Sequence, residues 1–321
     1  MTIEILMVVG FCLAAYSIVA NDVPQTLGTF ISSNAHRPWW LLWLYTSSIL
    51  TVVLLYGWWV SGVGDASYGR LETIAFPASG ITWLYIVPPI ILIILTRYGI
   101  PVSTTFLVLT IFSPSSLGSM LTKSMMGYAV AFVVAIIVYR FVIKGISVYF
   151  SKTRDHKPSH LWIGVQWVST AFLWSQWLIQ DLANIFVYVP RQVPLEFLIF
   201  AIVVFILLLG MIFYQRGGAI QKIIDTKTGV ADIRSATIID FIYALILLVF
   251  KEWSNIPMST TWVFLGLLAG REFAMSMHLV EVNKYRTSRN VSKDAMKLMI
   301  GLIMSIVLAT TLPWFYRVIS G

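Results

Sequence analysis

The chain contains the same pair of polar motifs twice. Residues 101–105 read Pro-Val-Ser-Thr-Thr, and residues 257–261 read Pro-Met-Ser-Thr-Thr. An amide–carboxylate pair precedes each pentad, at residues 21–22 (Asn-Asp) and at residues 180–181 (Gln-Asp). The carboxylate lies 81 positions before the serine in the first copy and 78 positions before it in the second. Because all four segments interrupt apolar sequence, they predict a membrane transporter built from two repeats, with its binding site at the motifs.

Composition indicates that this chain lies in a membrane. Hydrophobic residues make up 58% of it and charged residues only 11%, whereas soluble domains contain about 25% charged residues. The net charge of +8 is better explained by basic cytoplasmic loops than by a nucleic-acid surface. We therefore predict a multi-pass protein of the plasma (inner) membrane that is surrounded by the lipid bilayer and binds no nucleic acid.

The apolar runs predict an all-α polytopic membrane protein with about ten transmembrane segments. The first run is interpreted as a span rather than a signal peptide, because no basic region precedes it. The fourth and ninth segments are short and contain the pentads. We expect both to cross, with broken or re-entrant helices as the alternative. The predicted segments are 3–20, 39–60, 80–96, 99–112, 124–143, 161–187, 195–214, 236–252, 256–270 and 295–316.

The positive charges predict the orientation of these segments. When loops alternate between the two faces, 17 of the 22 Lys and Arg residues fall on one face. The positive-inside rule makes that face cytoplasmic and puts both termini outside. Five crossings per half require the second half to enter the membrane in the opposite sense, as in inverted-topology repeats. The predicted domains are therefore a first repeat at 1–159 and a second, inverted repeat at 160–321.

The end of the first predicted span has the composition of a cation site. A carboxylate inside a membrane costs roughly 2.5–3.5 kcal/mol, so Asp22 requires a cation, a cavity or a protein partner. Pro24 and Gly28 predict an interrupted helix with free backbone carbonyls. We predict that Asp22 and Thr26 bind a cation there and that Asn21 binds the substrate. The alternative is that Asp22 lies at the membrane boundary and caps a helix.

A second set of polar residues follows the sixth predicted span. Gln180 and Asn184 are four positions apart and share a helix face, with Asp181 beside it. Their oxygens suit a hard cation such as Na⁺, and their amide groups can donate to an anion. We predict that Asp181 binds the cation and that the two amides bind the substrate. A boundary cap is again the alternative.

The two pentads are typical of helix starts. Proline is favoured in the first helical turn, and serine and threonine cap the free backbone amides there. A helix start carries partial positive charge and suits an anion such as phosphate. The alternative is that these hydroxyls simply bond to their own helix. The predicted substrate-binding hydroxyls are those of Ser103, Thr104, Thr105, Ser259, Thr260 and Thr261.

Other charged residues in the apolar sequence are predicted to have structural roles. Asp240 and Glu252 flank the eighth segment and are interpreted as boundary groups, with Glu252 paired to Lys251. His156 and His160 have helical spacing but no third ligand, so no metal site is predicted. No cofactor is expected apart from bound Na⁺.

The motifs resemble those of the PiT family of inorganic phosphate transporters. Both halves of that family carry a Gly-Ala-Asn-Asp-Val-Ala-Asn signature and a Pro-Val-Ser-Thr-Thr-His signature. The resemblance implies a transporter that moves phosphate together with Na⁺ or H⁺. The matching positions are Asn21, Asp22, Val23, Gly28, Thr29, Asp181, Ala183, Asn184 and the six pentad hydroxyl residues.

The chain departs from the family pattern at several motif positions. Pro24 and Gln25 replace the usual Ala-Asn, and Phe106 and Trp262 replace the histidine after each pentad. Gln180 stands where asparagine is usual. These departures keep open a second class of function, a non-transporting membrane sensor or scaffold on a transporter-like fold.

The leading hypothesis is a secondary transporter of inorganic phosphate, coupled to a Na⁺ or H⁺ gradient. Another oxyanion remains an alternative substrate. The oligomeric state, monomer or homodimer, is left open. A membrane-embedded enzyme is the least favoured class, because no nucleophile–base pair lies in the predicted spans.

Overall fold

The computed structural model describes residues 2–62, 64–100, 102–143, 159–218, 220–221 and 233–276, and scattered helical positions between 296 and 314. All regular structure in these residues is helical. Most of the predicted loops 140–159 and 271–297, and much of the tenth predicted segment, lie outside the described residues. The predicted boundary at residue 159 adjoins an undescribed stretch and stays a prediction.

Ten helices, together with the shorter helical turns Trp83–Ile86, Pro114–Ser116 and Tyr139–Ile143, form the described fold. Among the described residues, four helical segments are long and apolar enough to cross a membrane: Ile5–Ser33, Trp39–Val60, Pro114–Phe141 and Leu195–Tyr214. This confirms an all-helical protein with several membrane-spanning segments. The helices are α1 Thr2–Ser33, α2 Trp39–Val60, α3 Val87–Arg97, α4 formed by Thr105–Leu109 and Thr110–Phe112, α5 Leu117–Val138, α6 His160–Asp181, α7 Ala183–Phe186, α8 Leu195–Tyr214, α9 Ile233–Trp253 and α10 Thr260–Ser276.

Helix α1 is continuous through Pro24, so the predicted interruption of the first span is wrong. Proline removes one backbone donor, but in a membrane protein neighbouring helices can hold such a helix together. Here α1 is the central helix, in contact with α3, α6, α7, α8, α9 and α10. Its residues from Ile18 to Ile31 are almost all buried. Packing on every side therefore overrides the local effect of the proline.

Helices α3 and α4 form a hairpin over the predicted segments 80–96 and 99–112, and whether these segments cross or re-enter stays a prediction. The 3-10 turn Trp83–Ile86 leads directly into the 11 residues of α3, and together they span about 24 Å, less than a 30 Å hydrocarbon core. Helix α4 is shorter still. The rings of Tyr85, just before α3, and Phe112, at the end of α4, are 4.5 Å apart. The end of α4 therefore lies beside the start of α3, and the first pentad lies at the tip of the hairpin that the two helices form.

Helices α9 and α10 form a second hairpin. Tyr243 of α9 donates to the Thr260 carbonyl at the start of α10 (3.0 Å) and its ring lies 6.0 Å from that of Phe264. Near the other end of α9, Ile238 and Ile239 line a crevice with Arg271 of α10. The two helices are therefore antiparallel, and the second pentad lies at the connection between them.

Small residues allow α10 to pack closely and in parallel on α5. A Cβ atom on Gly266 would lie 2.5 Å from the Tyr128 carbonyl oxygen. One turn later, Gly270 faces Phe132 and Ala135 in the same way. Such small-x-x-x-small spacing is common where membrane helices meet. This contact fixes the second hairpin against the helix that follows the first hairpin.

Candidate functional site

The amide–carboxylate pair of α1 lies in a buried polar cluster against the first hairpin tip. The Asn21 Nδ2 atom donates to Asp22 Oδ1 (2.6 Å) and to the Val102 carbonyl (2.8 Å). The Gln25 amide donates to the Asn21 carbonyl (2.9 Å). Because Asn21 and Asp22 are at most 1% exposed, neither is a boundary cap in contact with solvent. The predicted partnership between the first amide–carboxylate pair and the first pentad is thus present.

Both pentads begin helices, as predicted. The Ser103 hydroxyl accepts from the Phe106 backbone N–H (3.2 Å), and the Ser259 hydroxyl accepts from the Trp262 N–H (3.3 Å). This is the contact of a helix-capping serine. The Ser259 N–H in turn donates to the Ser124 hydroxyl of α5 (2.8 Å). The two serines therefore cap their helices, and only their hydroxyl protons are left to donate to a ligand.

Asn184 connects the two carboxylates. Its Nδ2 atom donates to Asp181 Oδ1 (2.7 Å), to Thr104 Oγ1 (3.1 Å) and to Thr105 Oγ1 (3.3 Å). Thr104 itself donates to Asp22 Oδ2 (2.8 Å). A chain of hydrogen bonds therefore runs from Asp22 through Thr104 and Asn184 to Asp181. Residues far apart in sequence converge on one site.

The two hairpin tips contact each other reciprocally. The Thr105 hydroxyl donates to the Met258 carbonyl (3.2 Å), and the Thr261 hydroxyl donates to the Val102 carbonyl (3.4 Å). Thr105 and Thr261 are both fifth in their pentads, and Val102 and Met258 are both second. Next to them, the Phe106 and Trp262 rings pack edge to face, 5.5 Å apart. Equivalent atoms of the two motifs thus make equivalent contacts.

Several buried oxygens in this cluster remain available for a ligand. Among the described residues, Gln25 Oε1, Gln180 Oε1 and Asn184 Oδ1 have no hydrogen-bond partner. The second oxygen of Asp181 has no hydrogen bond of ordinary geometry to any described residue, although the Thr260 hydroxyl lies nearby. Unsatisfied buried acceptors are costly. Carboxylate and amide oxygens in such a set suit a hard cation or a proton.

The remaining predicted residues have separate partners. Gln180 donates to the Leu247 carbonyl of α9 (3.0 Å). The Thr26 hydroxyl lies beside that of Tyr243. Gln25 and Tyr243 join the cluster although sequence reasoning missed them. The polar sequence around Asp22 could have indicated Gln25, whereas nothing local indicates Tyr243.

Asp240 is a buried residue, and its interpretation as a boundary group is wrong. It is 1% exposed and accepts from Thr29 (2.5 Å) and Thr170 (2.9 Å). Two hydroxyl donors from α1 and α6 replace the water that a boundary carboxylate would have. The prediction for Glu252 is confirmed, because it forms an ion pair with Lys251 (2.6 Å).

The segment between α2 and α3 contributes a buried cation that sequence reasoning did not identify. Arg70 is 1% exposed and donates from Nη1 to the carbonyls of Ser254 (3.2 Å) and Ile256 (3.4 Å). Burial lowers the pKa of the Arg70 guanidinium to about 10, an effect that the Asp181 and Glu252 carboxylates oppose. At neutral pH Arg70 is therefore cationic, just below the second hairpin tip.

Comparison with known proteins adds one structural match. No protein-family model and no curated protein matches this sequence. A solved structure described as "The sodium-dependent phosphate transporter" matches 99% of this chain and 100% of its own chain, with a TM-score of 0.62 and 16% sequence identity. This chain has the fold of that transporter. At this level of identity the match concerns the fold alone, and function depends on the site.

Proposed function

We propose that this chain is a secondary transporter of inorganic phosphate, coupled to a Na⁺ or H⁺ gradient. The observation that carries the proposal is the hydrogen-bonded path from Asp22 through Thr104 and Asn184 to Asp181. It unites both amide–carboxylate motifs with a pentad in one buried cluster. The full-length fold match to a sodium-dependent phosphate transporter supports the same function.

Asp22 and Asp181 are the proposed ligands of the coupling cation, together with Thr26. Two carboxylates in one buried cluster repel each other, and a bound cation or proton relieves that repulsion. The amide oxygens that lack partners among the described residues, Gln25 Oε1 and Asn184 Oδ1, supply neutral acceptors beside them. Cation binding therefore stabilises the arrangement in which both carboxylates are ionised.

The pentads supply the proposed oxyanion site. The starts of α4 and α10 meet at the two hairpin tips, so their partial positive charges and free N–H groups face one region. Amide donors and hydroxyls lie around these helix starts and can hold phosphate. The proposed substrate-binding residues are Asn21, Ser103, Thr104, Thr105, Gln180, Asn184, Ser259, Thr260 and Thr261.

Burial of the site supports alternating access. Asn21, Asp22, Asp181 and Asn184 are each at most 1% exposed. A substrate reaches such an occluded site only when one set of elements moves against the other. The two hairpins are the proposed moving elements, because hydrogen bonds and a ring contact join their tips; the second hairpin would move together with α5, on which α10 packs.

We also propose that residues 1–159 and 160–321 are inverted repeats. The reciprocal Thr105–Met258 and Thr261–Val102 contacts support a pseudo-two-fold relation. A hairpin enters and leaves on the same face whether or not its helices cross fully, so later loops keep the side assigned from ten crossings. The basic loops therefore remain on one face, which places both termini outside the plasma membrane. The transporter is not an enzyme under this proposal, and a homodimer is compatible with it.

Uptake by reconstituted protein tests the function. Purified full-length chain in liposomes is given radiolabelled phosphate under a Na⁺ gradient, a pH gradient or no gradient. We expect accumulation under one gradient only, which identifies the coupling ion. Uptake of sulfate or arsenate without phosphate would change the substrate to another oxyanion. Absence of uptake for every anion, from folded protein, would favour the sensor or scaffold alternative.

A further inference from the structure

Two cationic side chains lie against the same backbone turn, below the second hairpin tip. Lys123 of α5 donates from Nζ to the Ser254 carbonyl (2.6 Å) and to the Ile256 carbonyl (2.8 Å). Arg70 donates to these same two carbonyls. Lys123 is 5% exposed and Arg70 is 1% exposed. Two like charges thus share one buried location.

The hydrogen bonds of this pair go to backbone carbonyls and not to a carboxylate. Among the described residues, neither Arg70 nor Lys123 forms an ion pair. The carboxylates that act on Arg70 are Asp181 and Glu252. Asn184 is neutral, so Asp181 keeps its charge and partly offsets that of Arg70 without bonding to it, whereas Glu252 is paired with Lys251. Burying a cation without a directly bonded anion costs several kcal/mol, so an anion in contact with Arg70 would stabilise the charged forms of both side chains.

Arg70 retains donors that can bind such an anion. Its Nε and Nη2 atoms are buried and have no partner among the described residues. The Nε–Nη2 edge of a guanidinium matches two oxygens of a phosphate or sulfate. The Lys123 ammonium, which contacts the same turn at residues 254–256, can add a further positive charge beside the bound anion.

A cavity lies beside the sequence neighbours of Arg70 and of the turn, and both basic and acidic side chains line it: Arg191, Lys251, Asp65 and Glu72. Its volume is about 790 Å³, and its lining includes Gly69 and Leu71, which flank Arg70, and Asn255, the middle residue of the turn. Because both cations are almost fully buried, a free inorganic anion fits this location better than a lipid headgroup.

We propose that Arg70 and Lys123 form a second anion site for a tetrahedral oxyanion of the phosphate or sulfate class, distinct from the motif cluster. The Nε–Nη2 edge of Arg70 holds two oxygens of the anion, and the Lys123 ammonium neutralises its remaining charge. Because both cations donate to the Ser254 and Ile256 carbonyls, an anion there would also hold the turn at residues 254–256 in place. The proposal concerns binding and does not depend on transport.

Equilibrium dialysis of the full-length protein in detergent with radiolabelled phosphate tests this site, with unlabelled sulfate as competitor and chloride at equal ionic strength as control. In an Asp22→Asn variant, in which the motif cluster has lost a charge, phosphate binding at the second site should persist. Arg70→Gln or Lys123→Met, each combined with Asp22→Asn, should weaken that binding roughly tenfold or more, as expected for the loss of a charge-assisted contact. Arg216→Gln removes an exposed cation that donates to the Arg37 carbonyl and does not line this cavity, so it should leave binding unchanged.

A parallel thermal unfolding series, followed by tryptophan fluorescence, should show a phosphate-dependent increase in midpoint that follows the same pattern. Binding in the Asp22→Asn background that is unaffected by both cation substitutions would overturn the proposal. If neither double variant folds, dialysis of the Asp22→Asn variant is the remaining test. Absence of both phosphate and sulfate binding by this variant would also overturn the proposed second site. Phosphate binding here without uptake by liposomes would refute the proposed transport and leave the second site intact.

Discussion

The Nδ2 atom of Asn184 lies 3.1 Å from the Thr104 hydroxyl, although 80 positions separate the two residues. Through this contact the second half of the chain supports the residue that binds Asp22 in the first half. The same amide group holds Asp181. A change of charge at either carboxylate is therefore transmitted to the other half by two hydrogen bonds.

Asn184→Ala should reduce phosphate uptake strongly. The substitution removes the donor shared by Asp181 and Thr104, and hydrogen bonds to charged groups contribute about 1.5–3 kcal/mol, or roughly a tenfold to hundredfold change. Initial uptake rates in liposomes measure the effect. Asn34→Ala is the matched control, because Asn34 is also fully buried but donates to Gln166 outside the cluster. Equal effects of the two substitutions would mean that Asn184 acts only through stability.

Asp22→Asn should abolish gradient-driven uptake while the protein remains folded. Asparagine has nearly the same shape and can still accept from Thr104, but it carries no charge to hold the coupling cation. Uptake with and without the gradient, and the elution profile of the purified protein, measure the two properties. Full coupled uptake by this variant would rule out Asp22 as a cation ligand.

Ser103→Ala together with Ser259→Ala should raise the half-saturation concentration for phosphate. Each serine caps a helix start next to the proposed anion site, and loss of a cap costs about 1 kcal/mol. The double variant should therefore unfold at a lower temperature and bind the anion more weakly. Unchanged uptake kinetics in a measurably destabilised protein would remove the two serines from the site while preserving their role as caps.

Gly266→Ala should destabilise the protein more than the same substitution at a glycine with free space around its Cα atom. The added methyl group would lie 2.5 Å from the Tyr128 carbonyl, so α5 and α10 must separate. Overpacking of this kind costs typically 1–3 kcal/mol. Gly164→Ala in α6 is the control, because its Cβ would meet no atom within 4 Å among the described residues, and alanine favours a helix. Thermal unfolding in detergent should show a lower midpoint for the first variant and an equal or higher one for the second.

Features that depend on local sequence were predictable. Apolar composition predicted membrane helices, and α2 and α8 coincide with the predicted segments 39–60 and 195–214. The order proline, serine, threonine predicted helix starts, which Ser103 and Ser259 cap. These features arise from side-chain hydrophobicity and from backbone chemistry within a few residues, which the sequence displays directly.

Features that depend on partners far along the chain were decided by the tertiary structure. Pro24 predicts a break in isolation, yet packing of six helices around α1 keeps it continuous. Asp240 resembles a boundary residue, yet Thr29 and Thr170 bind it in the interior. The sequence by itself determined a helical membrane protein with a doubled motif. Only the folded chain brought Asp22 and Asp181 into one cluster and Arg70 beside Lys123, because hydrogen bonds and charge pairs depend on distances in space, which sequence separation does not specify.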